Sequence, residues 1–588
     1  METRWEILNP DPEKIDKISK VIGCNEIVSK LLVNRGIKTP EEAFKFLNPS
    51  FEHLTEPFLL KDMQKAVERI YTAICNKERI LIFGDFDADG ITATTTLNDF
   101  FSYVGADVSW YIPHRIKEGY SLKLQHIDMA VKQRCDLLIT VDCGSDSHEA
   151  VKAATKEDID IIITDHHEIS NSPPPAYAIV NPKQQGCQSG LSHLAGVGVA
   201  FYLVVALRSY LRSKGFWEDI SEPNLVDYCD LFAIGTIADM VPLKAENRIL
   251  SRAGISTIKR AKRVGLNSLI NSSGIDQKYI NSDDIAFKIA PKINAAGRIS
   301  HSRICVDLLS EKSSSKAEQT AFILEELNKR RQELERAIIE DIENRIIRDP
   351  NIIKRASIVM ADRSWSQGVL GIAASRVAKK YFCPVVLIST APINANNALN
   401  SNLATGSCRS IGTINIHDAL SKSSDLLESF GGHKMAAGIS IKPENIEKFS
   451  ENFNSAVLSL LNGEDDLTKS EMVFDTHLNF NEITDKLLNE IDMLRPFGTD
   501  NPEPFFCTYN VKVLSSIMIA SKHRKMVLEQ ISSKDGQKST IDAMQFNAVS
   551  PMESDTNSIP NRFDKIAFKL KIDRFSGKNK PQIVIESV

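Results

Sequence analysis

Residues 78–96 read ERILIFGDFDADGITATTT, and the fold turns on how this stretch is parsed. Ile80 to Phe83 is a short apolar run of the kind that forms a buried parallel strand. Gly84 ends it. Three carboxylates follow at every second position, Asp85, Asp87 and Asp89, and Gly90 closes the turn before a helical stretch from Ile91 to Phe101. The acidic cluster therefore lies at the carboxyl end of a strand, just ahead of a helix, where open α/β sheets place their ligand sites. Three ionised carboxylates so close together repel one another and are costly to hold without a counter-ion. A bound cation relieves that cost; for this stretch taken alone, a solvated acidic turn is the competing reading. A calcium loop of the EF-hand type is excluded. Its twelfth position needs glutamate and here is Thr96, and a strand rather than a helix precedes the loop.

The flanking sequence repeats the pattern. Val108 to Ile112 reads as a strand and Leu122 to Gln133 as a helix. Asp136 to Val141 is a strand ending in Asp142-Cys143-Gly144, and Asp160 to Thr164 a strand ending in Asp165-His166-His167, with a helix from Asp146 to Thr155 between them. Strands alternating with helices imply a parallel, doubly wound sheet. Its strand ends share one edge, so Asp85, Asp87 and Asp89, then Asp142, then the Asp165–His167 group can converge. A lone histidine is more often structural; two adjacent ones opposite carboxylates favour metal ligation.

Apolar helices follow, Gly196 to Leu207 and Leu225 to Ile237, the second leading into Asp239. Asp239 sits in an apolar neighbourhood and needs a partner, either a helix-terminal hydrogen bond or a metal. Asn294 to Arg298 reads as a loop of small residues with one guanidinium, suited to phosphate, a solvated loop arginine being the alternative. From Lys316 to about Ile347 helix formers run without Gly or Pro, predicting a helix that connects two lobes. The second α/β lobe spans about Ser357 to Leu461. It carries two polar stretches read as loops, Gly406 to Ser410 and Gly431 to Lys434, whose glycines can bring backbone N–H groups to a phosphate. Asn462 to Lys469 reads as a polar linker, and the short alternating segments beyond it as a small β-barrel.

Composition bounds the rest. The chain has 588 residues, enough for about three or four domains. Its formal net charge is -5, so a nucleic acid has to be met by a local groove rather than by overall charge. Ten cysteines without a C-x-x-C pair argue against structural zinc and a disulfide scaffold, and fit core residues in a reducing cytoplasm. The amino terminus has no apolar signal region, and the longest apolar run, Leu194 to Leu207, falls short of the roughly 20 residues of a membrane helix. A cytoplasmic protein with no membrane partner is expected. The candidate ligands are all carboxylate and imidazole, which suits Mn²⁺ or Mg²⁺, and they suffice for two ions. Paired ions fit in-line phosphoryl displacement.

The series GDFDADG, VDCG, TDHH and GTIADMVP resembles the motif set of the DHH phosphoesterase superfamily. SWSQGVLGIAASRVAKKYFCPVVLIS, GSCRS with NIHDAL, and FGGHKMAAG resemble its DHHA1 substrate-binding lobe, and LRPFGTDNPEPFF with the β-rich tail resembles the extra domain of its RecJ-type exonucleases. The resemblance spans nearly the whole chain in the right order. It implies metal ligation by Asp87, Asp89, Asp142, His166 and Asp239 with Asp85 in support. It implies phosphate contact or proton donation by His167, phosphate contact by Arg298, and nucleotide contacts from Arg409, Ser410 and His433, with Gly431 and Gly432 beside it. It implies 5′-to-3′ digestion of single-stranded DNA to mononucleotides in recombination and repair, with a single-strand-binding protein and a helicase as partners.

The domain plan that follows is a helical lead-in (1–50), a DHH catalytic domain (51–310), a connecting helix (311–350), a DHHA1 domain (351–462) and an OB-like domain (463–588). Ser366 and Asp500 depart from residues common in the family, a histidine and a glycine. Two other readings are a DHH phosphodiesterase of short oligonucleotides or cyclic dinucleotides, and a non-catalytic DHH replication scaffold. The length and β-rich tail argue against the first, and the intact acidic and histidine motifs against the second.

Overall fold

The computed structural model describes residues 4–391, 403–461, 471–520, 522–531, 536–548, 561–573 and 580–588. The Asn462–Lys469 stretch read as a linker lies outside them. The chain divides into two compact units, residues Thr55–Val241 with Ala253–Thr468, and Met1–Leu54 with Pro242–Arg252 and Lys469–Val588.

The first of these holds a five-stranded parallel sheet, β1 (Arg79–Gly84), β2 (Asp107–Tyr111), β3 (Leu137–Val141), β4 (Asp160–Thr164) and β5 (Ala178–Val180), in the order β2-β1-β3-β4-β5. The central strands are apolar because helices cover both faces; all five residues of β3 are buried. Helix α1 (Ala88–Tyr103) starts three residues before the expected Ile91, so Asp89 and Gly90 belong to its first turn rather than to the loop. Asp87 caps it, accepting from Asp89 N at 2.9 Å and Gly90 N at 3.2 Å. Its buried threonines are tolerated because their hydroxyls bond back one turn, Thr92 to Ala88 O and Thr96 to Thr92 O, both at 2.8 Å. Buried helices α2 (Gly196–Ser213) and α3 (Cys229–Ala238) follow.

Asn294 to Arg298 is not a loop. It lies in helix α4 (Ala290–Ile299), started by a proline in its first turn. The glycine that suggested a loop is there for space: a Cβ on Gly297 would lie 2.4 Å from Ser302 Oγ. The connecting helix α5 (Ser314–Arg348) runs for 35 residues, with a buried stripe through Leu324, Arg331, Glu335, Ile338 and Ile342.

The second lobe is a mixed sheet of β6 (Ile358–Asp362), β7 (Val385–Ser389), β8 (Ala404–Arg409), β9 (Leu427–His433) and β10 (Ala436–Ile441), ordered β9-β10-β8-β7-β6, with helix α6 (Leu370–Tyr381) packed on it. Here too two expectations are corrected. Gly406 to Arg409 belongs to β8 and Gly431 to His433 to β9. Gly406 is a strand residue because Ile439 of β10 fills the space a Cβ would take, at 2.7 Å.

The other unit is a closed five-stranded barrel of β11 (Phe506–Ile519), β12 (His523–Ile531), β13 (Lys538–Gln545), β14 (Arg562–Asp573) and β15 (Lys580–Ser587), closed by pairing of β11 with β14. Its core is not its own alone. Ile18, Leu31, Leu32 and Leu47 of the helical amino terminus share one apolar cluster with Phe506, Leu528 and Phe568. Among the described residues no helix is long and apolar enough to cross a membrane.

Candidate active site

The loops after β1, β3 and β4 bring the acidic and histidine groups to one edge of the parallel sheet. Three sets have ligand atoms within 4.8 Å of one another: Asp85, Asp87 and Asp142; Asp89, His166 and Asp239; and Asp142, His166 and His167. His166 Nε2 lies 3.1 Å from Asp142 Oδ1, 3.6 Å from Asp239 Oδ2 and 3.8 Å from Asp89 Oδ2. Asp142 belongs to two sets and has a left-handed backbone, φ 62°. That conformation is uncommon outside glycine and fits a residue whose position is over-determined by function.

Buried polar atoms point to what is needed. Asp85 Oδ1, Asp142 Oδ1 and His166 Nε2 are buried and make no hydrogen bond. Burial, then Asp87, raises Asp85; burial, then Asp89 and Asp87, raises Asp142, both well above the carboxylate range. The same causes, burial and neighbouring carboxylates, push Asp89 to about 7 and Asp239 to about 9. Burial and the charge of His167 hold His166 down at about 3, the neutral form that ligates metal. Crowded carboxylates, unbonded oxygens and a neutral imidazole are what a site for hard divalent cations presents, so the residues fit Mn²⁺ or Mg²⁺.

Supporting contacts were not legible in the sequence. Asp89 is held by the start of α2, accepting from Gly196 N at 2.6 Å and Val197 N at 2.8 Å. Gly196 is required there, because a Cβ would lie 2.6 Å from Asp142 Oδ1. Asp165 ties its own loop to the one after β3, accepting from Ser145 N, His166 N, His167 N and His167 Nδ1, the last at 2.8 Å. Burial opposes its charge, but His167 outweighs it and holds Asp165 below the carboxylate range. Burial likewise opposes the charge of His167, yet the Asp165 bond and charge raise it to about 9, so the imidazole is protonated at neutral pH. Tyr120 adds a hydroxyl 3.1 Å from His167 Nδ1.

Cations gather on the second lobe's side. Arg298 Nη1 donates to Gly368 O at 3.3 Å, ahead of α6. Burial, then Arg115, Arg331 and Arg409, depresses Arg298, and Arg115 also bears on Arg409; Arg331 is paired with Glu335 at 3.0 Å, so the positive charge left for an anion gathers at Arg115, Arg298 and Arg409. Arg115 stacks over the Phe86 ring of the GDFDADG motif at 4.5 Å. Arg409 is aimed by Ser375 Oγ at 3.1 Å and Ser407 Oγ at 3.2 Å. The register puts Arg409, Ala436 and His433 in one cross-strand row, and Ser407, Gly438 and Gly431 in another. Side chains alternate along strands, so one face carries Ser407, Arg409, Gly431 and His433, while Cys408 is buried on the other. Gly431 has nothing within 4 Å of a Cβ position. Two expected contacts are spent locally: the Ser410 hydroxyl donates to Ile414 O at 2.7 Å, and Gly432 serves its backbone, φ 143°.

Residues 79–236 match the DHH family, N-terminal domain, residues 354–459 the DHHA1 domain, and residues 474–587 the RecJ OB domain. The single-stranded-DNA-specific exonuclease RecJ of Bacillus subtilis is 34% identical over 585 residues, covering 99% of this chain and 70% of its own. The chain belongs to the RecJ family. The RecJ of Salmonella typhimurium is 33% identical over 576 residues, 96% of this chain and 95% of that one. The crystal structure of RecJ in complex with Mn²⁺ from Thermus thermophilus has a TM-score of 0.79 at 26% identity, covering 99% of this chain and 79% of that one. The RecJ-family match thus takes in the metal-fitting edge, the second lobe and the barrel together.

Proposed function

We propose that this RecJ-family chain is a metal-dependent exonuclease that digests single-stranded DNA from its 5′ end to mononucleotides, in recombination and DNA repair. The reading rests on one observation: within one unit, a buried carboxylate–imidazole cluster at a sheet edge lies beside half-buried guanidiniums, with the Asp87 charge bearing on Arg298. Two Mn²⁺ or Mg²⁺ ions, when bound, would supply Lewis-acid charge and an activated water. Asp89, His166 and Asp239 would hold one and Asp85 and Asp87 the other, with Asp142 within reach of both sets.

Arg298 and Arg409 receive the terminal 5′-phosphate, which sets the direction, since a free 3′ end offers no phosphate. The open face by Gly431 and His433 takes the terminal nucleoside. The scissile phosphate then lies over the sheet edge. Water attacks phosphorus, the bond to the 3′-oxygen breaks, Asp85 Oδ1 takes a water proton, and His167 gives its proton to the leaving 3′-oxygen. The products are a 5′-mononucleotide and a strand with a fresh 5′-phosphate, so the cycle can repeat. Asp165 keeps His167 charged for that step. In a reducing cytoplasm, a single-strand-binding protein and a helicase would present such strands.

The test is a digestion series with Mn²⁺ or Mg²⁺ on labelled single strands, duplex and dinucleotide, each with 5′-phosphate or 5′-hydroxyl. We expect mononucleotides from single strands, dependence on metal, and a loss of about tenfold or more in kcat/KM for the 5′-hydroxyl, shrinking in Arg409→Ala. Release from the 3′ end first would overturn the assignment.

A further inference from the structure

The parallel sheet has five strand ends on its ligand edge, and the mechanism uses only some of them. The fifth strand, β5, ends in Asn181-Pro182-Lys183. This turn is tied to the histidine loop. Asn181 is fully buried; its Nδ2 donates to His167 O at 3.0 Å and to Ser145 Oγ at 2.9 Å, and its Oδ1 accepts from Lys183 N at 2.9 Å. The backbone of Lys183 is therefore fixed to His167. Its ammonium rests 3.1 Å from Glu168 Oε1, the residue after His167, and that glutamate side chain is 75% exposed. β5 is two strands from β3, so Lys183 starts about 10 Å along the edge from Asp142. Its charge bears on His166 and Asp239, whereas that of Asp87 bears on Arg298. The acidic cluster thus has cations at both ends, arginines on one side and Lys183 on the other.

The Lys183–Glu168 pair, half-buried at the lysine and exposed at the glutamate, contributes little to stability and needs no buried asparagine to hold its backbone. Accepting the reading above, in which the 5′ end lies against Arg298 and Arg409, the retained strand leaves the cluster at the opposite end. We propose that Lys183 contacts the first phosphate 3′ of the scissile one, leaving Glu168 for it when DNA binds. The residue type fits the task. The terminal phosphate must be held in register, which suits the planar guanidinium fork. The following phosphate must move on by one nucleotide each turnover, which suits a flexible point charge.

The test uses the full chain with Mn²⁺ and a 5′-phosphorylated single strand, beside the same strand with a neutral methylphosphonate at the linkage next after the first scissile one. kcat/KM for the first cut is measured for the wild type, Lys183→Ala, Lys183→Gln and Lys183→Arg, with melting curves to check folding. In the wild type the methylphosphonate should cost about tenfold, the scale of a charged hydrogen bond. Lys183→Ala should lose as much on the ordinary strand and nothing further on the modified one, and Lys183→Arg should retain most of the rate. Lys183→Gln carries the same comparison if the alanine variant does not fold. The salt slope of binding should fall by about 0.7. Losses that multiply, or no loss on the ordinary strand, would overturn the proposal. Failure of the underlying reading shows differently, as a wild-type enzyme that leaves the ordinary strand intact or does not prefer a 5′-phosphate.

Discussion

Asp85, Asp89 and Asp142 are 4%, 1% and 2% exposed at the edge of the parallel sheet, and helix starts and backbone turns fix each of them. Lys522, Arg524 and Lys525 stand instead on the β11–β12 hairpin of the barrel, beside exposed Ile517 and Phe546. Both regions concentrate charge of one sign. The first buries it at high cost, so it demands partners of defined position and charge, which is how chemistry is positioned. The second keeps it nearer to water, Lys522 exposed and Arg524 and Lys525 half-buried, where charge is cheaper, screened by salt and tolerant of more partner geometries. Changes at the sheet edge should therefore act on chemistry in powers of ten, and changes on the hairpin on binding by small factors.

The largest effect tests the buried region directly. Asp142 joins two ligand sets and is the only one of these carboxylates on the central strand end. Asp142→Ala should abolish turnover, leaving less than a few per cent, in a protein whose circular dichroism is unchanged. Appreciable turnover by a folded variant would show that the edge does not act as one unit. Next come the two histidines, which the structure separates by charge: His166 is held neutral and His167 protonated. In Mn²⁺ titration calorimetry His166→Ala should lose affinity. His167→Ala should keep affinity while its rate falls by about two to four powers of ten, as for removal of a proton-transfer group. Equal loss of affinity in both would erase the distinction.

These contrasts show how far the sequence was legible. The gathering of Asp85, Asp87, Asp142 and His166 at one sheet edge was, because the strand-end position of an aspartate is a matter of local sequence and a parallel sheet gathers strand ends on one edge. The second lobe's glycines were misread as loops, since Gly406 and Gly431 take their strand conformations from neighbours such as Ile439 and Gly438 that sequence spacing does not reveal. Asp165 was one of the metal-capable strand-end groups, and its carboxylate is taken up by Ser145 N, His166 N, His167 N and His167 Nδ1, contacts that local sequence does not reveal. Gly196 and Tyr120 reach the site from distant segments with no local signal. The core shared by Leu31 and Phe568 joins residues from opposite ends of the chain, beyond any periodicity.

A smaller effect follows from proton linkage at the buried edge. Asp89 and Asp239 have folded values near 7 and 9, above the unfolded value of about 3.9. The metal-free folded state therefore holds protons more tightly than the unfolded one. This contribution is fully present below about pH 4 and is lost as pH rises through 7 to 9. Metal must displace those protons, so Mn²⁺ affinity should rise with pH between 6 and 9, by about tenfold per proton displaced per pH unit. Melting without metal should show Tm falling over the same window, and saturating Mn²⁺ should flatten it. A pH-independent affinity would mean that the carboxylates are already ionised without metal.

The smallest effect belongs to the barrel. Arg524 and Lys525 pair across β11 with Met518 and Ile517, and the His523 ring meets that of Phe546, just past β13, at 5.2 Å, so basic groups stand beside exposed flat or apolar groups on the hairpin and its neighbour. That combination binds single strands through phosphate contacts and base stacking without fixing sequence. Removing the barrel is a poor test, since the amino-terminal helices would lose the core they share with it. Point changes are cleaner. Lys522→Ala, Arg524→Ala and Lys525→Ala together should weaken binding of a long single strand several-fold and reduce its salt slope by about 2, at roughly 0.7 for each phosphate no longer neutralised. Cleavage of a trinucleotide, which has few phosphates to offer the barrel, should keep its kcat. If the triple variant instead slows chemistry on the trinucleotide, the hairpin charge is coupled to the catalytic edge and the division of labour drawn here fails. If long-strand affinity and its salt slope do not move, the positive groove of the barrel lies elsewhere on its surface.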